Sequence, residues 1–292
     1  GFFFAFAVKA PMVPFHTWLP DAAAEATPGT ATLLVGVLDK VGTFGMIRYL
    51  LPLFPDASRY YAPTIIVLAI VSIFYGALLA IGQNDMMRLV AFSSVSHFGF
   101  IVLGIFVMTS QGLTGSAFYM VNHGFSTAAL FLIAGFLISR RGSRLIEDFG
   151  GVQKVAPILA GTFLIAGLSS LALPGLSSFV SEFLVLVGTF ERYTWVGVVA
   201  TVGIVLAAVY ILLMYQRTMT GPAPEVVETK VHDLGGREVL AIAPLLVIIV
   251  ALGFYPKPVL DVVNPAIARV MHAVSATDPA PAVTPVAEGT QP

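Results

Sequence analysis

Five ionisable side chains stand in stretches that are otherwise apolar, where they could hold and pass protons. Lys40 lies in VGVLDKVGTFG, about 18 Å of helix from the start of its apolar run at about 1.5 Å per residue. That is too deep for its ammonium to snorkel to an interface. A charge there costs at least about 2.5 to 3.5 kcal/mol on insertion scales, and ionisable residues at such depth usually line ion or proton paths. A structural pair with adjacent Asp39 is the plainer alternative, but neighbours at i and i+1 point apart on a helix. Glu182 follows a Pro174-Gly175 interruption in LALPGLSSFVSEFLVL, with Ser177, Ser178 and Ser181 close by. Lys9 precedes Pro11 and Pro14 in VKAPMVP. Two Pro-interrupted apolar segments, each with an ionisable residue at the break, point to a transport path near a membrane midplane, because non-helical backbone at depth must be buried or line a wet cavity. The competing expectations are a Pro kink with Glu182 near a helix end, and a Lys9 that anchors at the interface.

His97 in SSVSHFGF and His123 in YMVNHGFSTAALF complete the set. Histidine titrates closest to neutral pH and suits a relay. Each could instead be a buried structural histidine, His97 bonded to Ser93 and His123 to Ser126 or Thr127. A pair of histidines on separate spans could also ligate a haem, with Gly99 and Gly124 making room, although a haem has no need of Lys9, Lys40 and Glu182 in the same bundle.

The elements that must position these groups are helices in a membrane. Of 292 residues 57% are hydrophobic and 11% charged, far from soluble composition. A window of about 20 residues marks apolar segments near 1–19, 28–51, 62–82, 87–108, 114–139, 156–188, 195–217 and 238–255. The fold class expected is an all-α integral membrane protein with about eight transmembrane helices, two of them broken. Loops are short, leaving no room for a soluble catalytic domain. A formal net charge of -1 offers no basic face for nucleic acid. Cysteine is absent, which excludes disulfides, thiolate-held clusters and cysteine nucleophiles in this chain. No Gly-rich phosphate loop follows a strand and no metal-binding spacing occurs, so nucleotide or redox chemistry would belong to other chains.

Gly1 opens directly on FFFAFAV without an initiator Met, and the helical run before Pro11 covers only about 15 Å, so the sequence reads as a fragment lacking upstream helices. Counting lysine and arginine by alternating sides puts eight on one face (Arg88, Arg140, Arg141, Arg144, Lys154, Arg217, Lys230, Arg237) and five on the other (Arg48, Arg59, Arg192, Lys257, Arg269). The positive-inside bias places the WLPDAAAEATPG and RRGSRLIEDFGGVQK loops in the cytoplasm and the C-terminal tail outside. Residues 259–274 are apolar at i, i+3, i+4 spacing and suit an interfacial helix bent or delayed by Pro265; residues 277–292 read as disordered.

VKAPMVPFHTWLPDAAAEATPGTATLLVGVLDKVGTFGMIRYL, NDMMRLVAFSSVSHFGFIVLG, NHGFSTAALFLIAGFL and LPGLSSFVSEFLVLVGTF together resemble the antiporter-like membrane subunits of respiratory complex I, from residue 1 to about 258. Within that family, the order of the blocks and the closing LGFYPKPVLD resemble the M-type branch. P-F-H-T-W-L-P-D-A alone is shared with the L- and N-type chains and with multisubunit cation/proton antiporters.

The resemblance implies a fourteen-helix fold with two inverted five-helix repeats, of which this chain holds helices 7 to 14. Residues 1–52 would end the first repeat, 53–220 form the second, 221–257 carry the last transmembrane helix, and 258–292 the amphipathic segment and tail. By motif, Lys9 resembles the lysine of broken helix 7, Lys40 the helix 8 lysine linking the half-channels, His97 the helix 10 histidine, His123 the helix 11 histidine, and Glu182 the terminal acid of broken helix 12. The family pairs the helix 7 lysine with a helix 5 glutamate, which this chain does not supply. Asp39 departs from the usual apolar residue at its position and could retune Lys40.

The implied function is proton translocation in the bacterial plasma membrane, coupled to NADH oxidation and quinone reduction. NADH, FMN, iron–sulfur clusters and quinone would sit on partner subunits, no cofactor or metal in this chain, and L-type and N-type antiporter-like chains would be neighbours. A counter-charge near 8 Å changes the energy of a buried ammonium by about 2 kcal/mol at an effective dielectric of about 20, enough to load and unload the lysines in turn. The alternatives are a D-type subunit of a multisubunit cation/proton antiporter and a truncated scaffold.

Overall fold

Helices dominate because nearly every long segment is apolar and each backbone polar group in lipid must be satisfied within its own segment. The computed structural model describes residues 1–280; the expectation for 281–292 lies outside the described residues. Apart from short turns at Ile146–Asp148, Val152–Val155 and Glu225–Lys230, the helices among the described residues are α1 (Phe2–Lys9), α2 (Trp18–Glu25), α3 (Pro28–Leu53), α4 (Pro55–Ile81), α5 (Met86–Phe106), α6 (Ser110–Arg141), α7 (Pro157–Ser170), α8 (Ser177–Arg192), α9 (Thr194–Met219), α10 (Gly236–Phe254) and α11 (Lys257–Ala273). Among the described residues six of these (α3 to α6, α9 and α10) are long and apolar enough to cross a membrane. The pairs α1–α2 and α7–α8 make two further, broken spans, so the chain is an all-α membrane protein of eight spans.

Two features of the first spans differ from the sequence expectation. WLPDAAAE, expected in a loop, is helix α2, the second half of the first broken span. Its alanines favour helix, and the Trp18 indole N–H donates to the Val8 carbonyl at 2.9 Å, tying the two halves together. The second span is not regular either. Residues Leu34–Leu38 and Met46–Leu50 form π turns on either side of the α-helical Lys40–Gly45.

At the centre stands α5, every residue of which except Arg88 is buried. Lipid gives helices no hydrophobic reason to associate, so close packing over small residues matters. A Cβ on Gly99 of α5 would lie 2.7 Å from the Ala69 carbonyl oxygen of α4, and one on Gly115 of α6 would lie 2.7 Å from the Val185 amide nitrogen of α8.

Charged ends fix the sides. On one side Arg88 pairs with Asp21 at 2.7 Å, Arg144 with Asp85 at 2.6 Å, and Arg140 with Glu238 at 2.5 Å. On the other, Thr114 donates to Asn264 at 3.0 Å and the Ser110 amide to Asp278 at 2.7 Å. Asp278 thus caps α6, and Arg192 donates to the Thr277 carbonyl, so Thr277 and Asp278 are held against the bundle where disorder was expected. Helix α11 is not delayed by Pro265, which it contains; it starts at Lys257 with proline in its first turn and buries Ile267 and Met271.

Candidate functional site

The first break runs from Ala10 to Thr17, and its freed backbone groups find partners. Besides the Trp18 bond to Val8, the Val13 amide donates to Ser72 Oγ of α4 at 3.2 Å. Lys9 ends α1 and is half-buried. His16, within the break, is buried with its ring 5.0 Å from that of Tyr75.

Helix α3 connects this break to the rest of the bundle through two stripes. Gly36, Lys40 and Thr43, spaced i, i+4, i+7, share one face. Gly36 packs on the Gly124 and Ala128 positions of α6, and the Thr43 hydroxyl reaches Met120 Sδ at 2.9 Å. The Lys40 Nζ donates to the Val35 carbonyl one π turn back and lies 5.2 Å from the centroid of the Phe98 ring on α5. Asp39, Gly42 and Gly45 form the other stripe. A Cβ on Gly42 would meet the Ala10 nitrogen at 2.5 Å, and one on Gly45 would strike the Phe6 ring, so this face lies on α1.

Asp39 is 0% exposed, and neither carboxylate oxygen has a hydrogen-bond partner among the described residues. Lys40 and Lys9 both lie within electrostatic reach of it. The two residues do point apart, as the i, i+1 rule requires. Divergence does not separate their chemistry, because it aims one at α1 and the other at α5 and α6.

From Lys40 the polar groups continue inward. Phe98 stands beside both Lys40 and His123, its ring centroid 5.4 Å from that of His123. The His123 and His97 rings are 5.2 Å apart, and His97 Nδ1 is 2.7 Å from the Tyr119 hydroxyl. That hydroxyl donates to Glu182 Oε1 at 3.2 Å. His97 Nε2 faces Ser170 Oγ at 3.3 Å and the Tyr210 hydroxyl at 3.4 Å. The serine bonds expected for structural histidines do not form. Ser93 and Ser126 donate to the Val90 and His123 backbone carbonyls, and His123 has no ring-nitrogen partner among the described residues. Rings this close, with both His97 nitrogens engaged by hydroxyls, leave no space for a macrocycle between them.

Glu182 sits in the second turn of α8 and is 2% exposed. The break before it, 171–176, has Ala172 at φ 58° and Gly175 at φ 93°. Asn122 of α6 donates to the Ser177 carbonyl at 2.9 Å and to Ser181 Oγ at 3.1 Å, and Ser169 and Ser178 hydroxyls meet at 3.2 Å. A side chain on Gly253 would run into the Gly175 carbonyl, so α10 closes directly on the break.

The structure therefore brings Lys40, His123, His97 and Glu182 into one buried line and leaves Lys9 across α3, on the side to which the Asp39 stripe turns. Tyr119, Tyr210 and Ser170 were not singled out from sequence. Tyr119 carried a signal, since it stands four residues before His123 and must share its helical face.

Residues 1–207 match the family described as NADH:quinone oxidoreductase/Mrp antiporter, TM. The NADH-quinone oxidoreductase subunit M of Mycobacterium tuberculosis (strain CDC 1551 / Oshkosh) is 61% identical over 283 residues, which is 97% of this chain and 51% of the relative. A chain of respiratory complex I from Thermus thermophilus with bound NADH superposes with a TM-score of 0.87 at 33% identity, over 94% of this chain and 58% of that one. A chain of the Mrp complex from Dietzia sp. DQ12-45-1b superposes at 0.82 with 24% identity, over 93% and 60% respectively, a likeness of fold alone. The chain thus spans about half the length of the curated relatives it matches.

Proposed function

The chain belongs to the NADH:quinone oxidoreductase/Mrp antiporter transmembrane family, and from that premise we propose that it translocates protons as an M-type membrane subunit of an NADH:quinone oxidoreductase. One observation carries the reading: a buried line of titratable groups crosses the bundle from Lys40 through His123, His97 and Tyr119 to Glu182. The bundle spends stability to bury these groups, a cost met in membranes chiefly where ions or protons move.

Each group has a role in this reading. Lys9 takes up a proton at the first break and Lys40 receives it. With Nδ1–H as its tautomer, His97 donates to Tyr119, which donates to Glu182; two donors aligned in one direction let a proton entering at His97 emerge on the acid. Nε2 is then the acceptor for Ser170 or Tyr210. His123 stands between Lys40 and His97 without a fixed partner, so a bridging water or a ring rotation completes that step. The serine-lined break beside Glu182 is the exit. Residues 1–52 and 53–220 are read as the end of one inverted repeat and the whole of the next, with 221–257 the last transmembrane helix and 258–292 a peripheral segment.

Electrons move elsewhere in this reading: NADH, FMN, iron–sulfur clusters and quinone belong to partner subunits, and L- and N-type chains flank this one. The arginine-rich side faces the cytoplasm of a bacterial plasma membrane. The fold likeness to the Mrp complex does not separate pumping from cation/proton antiport; the 61% identity to a subunit M favours pumping.

The test is at the acid. In the complete protein within its complex, Glu182→Gln removes the proton-holding group at constant size, whereas Glu182→Asp keeps it on a shorter stem. NADH-driven pumping into membrane vesicles should fall by about a hundredfold for Gln and only partly for Asp. Equal loss in both, with the complex assembled, would show that Glu182 packs beside the break and carries no proton.

A further inference from the structure

Asp39 has no part in the line from Lys40 to Glu182, yet it is a carboxylate buried without a hydrogen-bond partner among the described residues. A buried acid of that kind persists only beside opposite charge or in protonated form. The opposite charges are two lysines on different sides of one helix. The stripe 39/42/45 lies on α1, which ends at Lys9, while the stripe 36/40/43 lies on α6 and presents Lys40 to Phe98. The stripes diverge because successive residues on a helix are about 100° apart. A carboxylate on the first stripe therefore stands between the partly accessible lysine at the break and the enclosed lysine at the head of the inner line.

We propose that Asp39 is a proton-exchanging site in series between Lys9 and Lys40, a role that rests on the proton-translocation reading given above. In the first step the Lys9 ammonium gives a proton to the Asp39 carboxylate, leaving a neutral amine and a carboxylic acid. In the second the acid gives that proton to neutral Lys40, regenerating the carboxylate and forming the Lys40 ammonium. Each step breaks one N–H or O–H bond and forms the other, no electron is transferred, and the net charge of the three groups is unchanged. Among the described residues no hydrogen bond is donated to the carboxylate, which suits the first step, since such a bond would favour the charged form and oppose protonation.

Among the described residues the charged groups within electrostatic reach of Asp39 are Lys9 on α1 and, on its own helix, Lys40. A fixed counter-ion would serve two lysines by charge alone and never take a proton. An exchanging acid must be protonated for part of each cycle.

The experiment uses the complete subunit in its assembled complex, with two readouts: NADH-driven pumping into vesicles and redox-induced infrared difference spectra in the protonated-carboxyl region. Asp39→Asn should reduce pumping about tenfold or more and delete one carboxyl C=O band. Asp39→Glu should retain pumping and move that band in frequency. Wild-type pumping in the Asn variant overturns the proposal, and so does a difference spectrum in which no carboxyl band depends on residue 39, which identifies a fixed counter-charge. Should the Asn variant fail to assemble, the band in the Glu variant decides, and an unmoved band is the negative result. A parallel Glu182→Gln arm separates this inference from its premise. If Glu182→Gln fails while Asp39→Asn pumps, only the role of Asp39 falls; if both pump normally, the translocation reading falls with it.

Discussion

At the second break the acid and the interrupted backbone are hydrogen-bonded from within the chain, whereas at the first the backbone is bonded but the acid is held by charge alone. Glu182 accepts from Tyr119, and Asn122 satisfies the Ser177 carbonyl beside it. Asp39 accepts nothing among the described residues and answers only to Lys9 and Lys40. Hydrogen bonds weaken steeply with distance and angle, while a unit charge in a protein interior still acts with about 2 kcal/mol at about 8 Å. The first region should therefore respond to any change of charge and tolerate small changes of shape. The second should respond to loss of a single hydroxyl with no change of charge.

The largest effect is expected from Lys40→Gln. Glutamine is nearly isosteric and can still donate toward the Val35 carbonyl, so packing survives while the one charge shared by both regions is gone. NADH-driven pumping in the assembled complex should drop by about a hundredfold. Pumping near the wild-type rate would mean that protons bypass α3, and the contrast between a charge-run and a hydrogen-bonded half would lose its basis.

Tyr119→Phe probes the other half. It removes one oxygen between His97 and Glu182 and leaves every formal charge in place. A drop of about tenfold is expected, about 1.4 kcal/mol on the barrier, smaller than for Lys40 because water can enter the vacated position. An unchanged rate would show that Glu182 takes its proton along another route, with Ser170 and Tyr210 as the nearest alternatives.

Both breaks were legible in sequence because proline and glycine act locally: Pro11, Pro14 and Pro174-Gly175 interrupt helices wherever they fall. The five ionisable residues were legible for a similar reason, since charge in an apolar run is costly whatever surrounds it. Tyr119 was legible only as sharing the face of His123; its bond to the acid appears once the helix carrying Glu182 is laid against it. Asp39 stands out in sequence only as a departure that could retune Lys40. Adjacent residues point apart on a helix, and that α3 has a different partner helix on each side is visible only once α1 and α6 are packed against it. The π turns around Lys40 had no sequence signal in LVGVL or MIRYL. WLPDAAAE reads as a loop from sequence because hydropathy, not helix propensity, sets the boundaries there, whereas it folds as α2.

The smallest expected effect lies outside the membrane, where the second broken span begins. Asp233 accepts from the Ile158 amide at 2.8 Å, from Leu159 at 2.9 Å and from Leu234 at 2.9 Å, so it caps α7 from the loop leading to α10. Partial burial pushes its carboxyl up, but those three amides and the nearby Arg140 outweigh burial and hold it below its usual value. A carboxyl depressed in the folded state stabilises above its unfolded value of about 3.9 and loses that contribution as pH falls through the folded value. Hydrogen-exchange protection of the amides at 158 and 159, corrected for intrinsic rate, should thus decline on acidification below the ordinary carboxylate range. Asp233→Asn keeps an acceptor but no charge; it should lower protection at neutral pH by a few-fold, in line with about 1 kcal/mol for a cap, and flatten the acid decline. An acid decline of equal slope in the variant would mean that another group controls the α7 terminus. Anchoring of the second break would then rest on Arg140 and Glu238, whose guanidinium and carboxylate meet across α6 and α10.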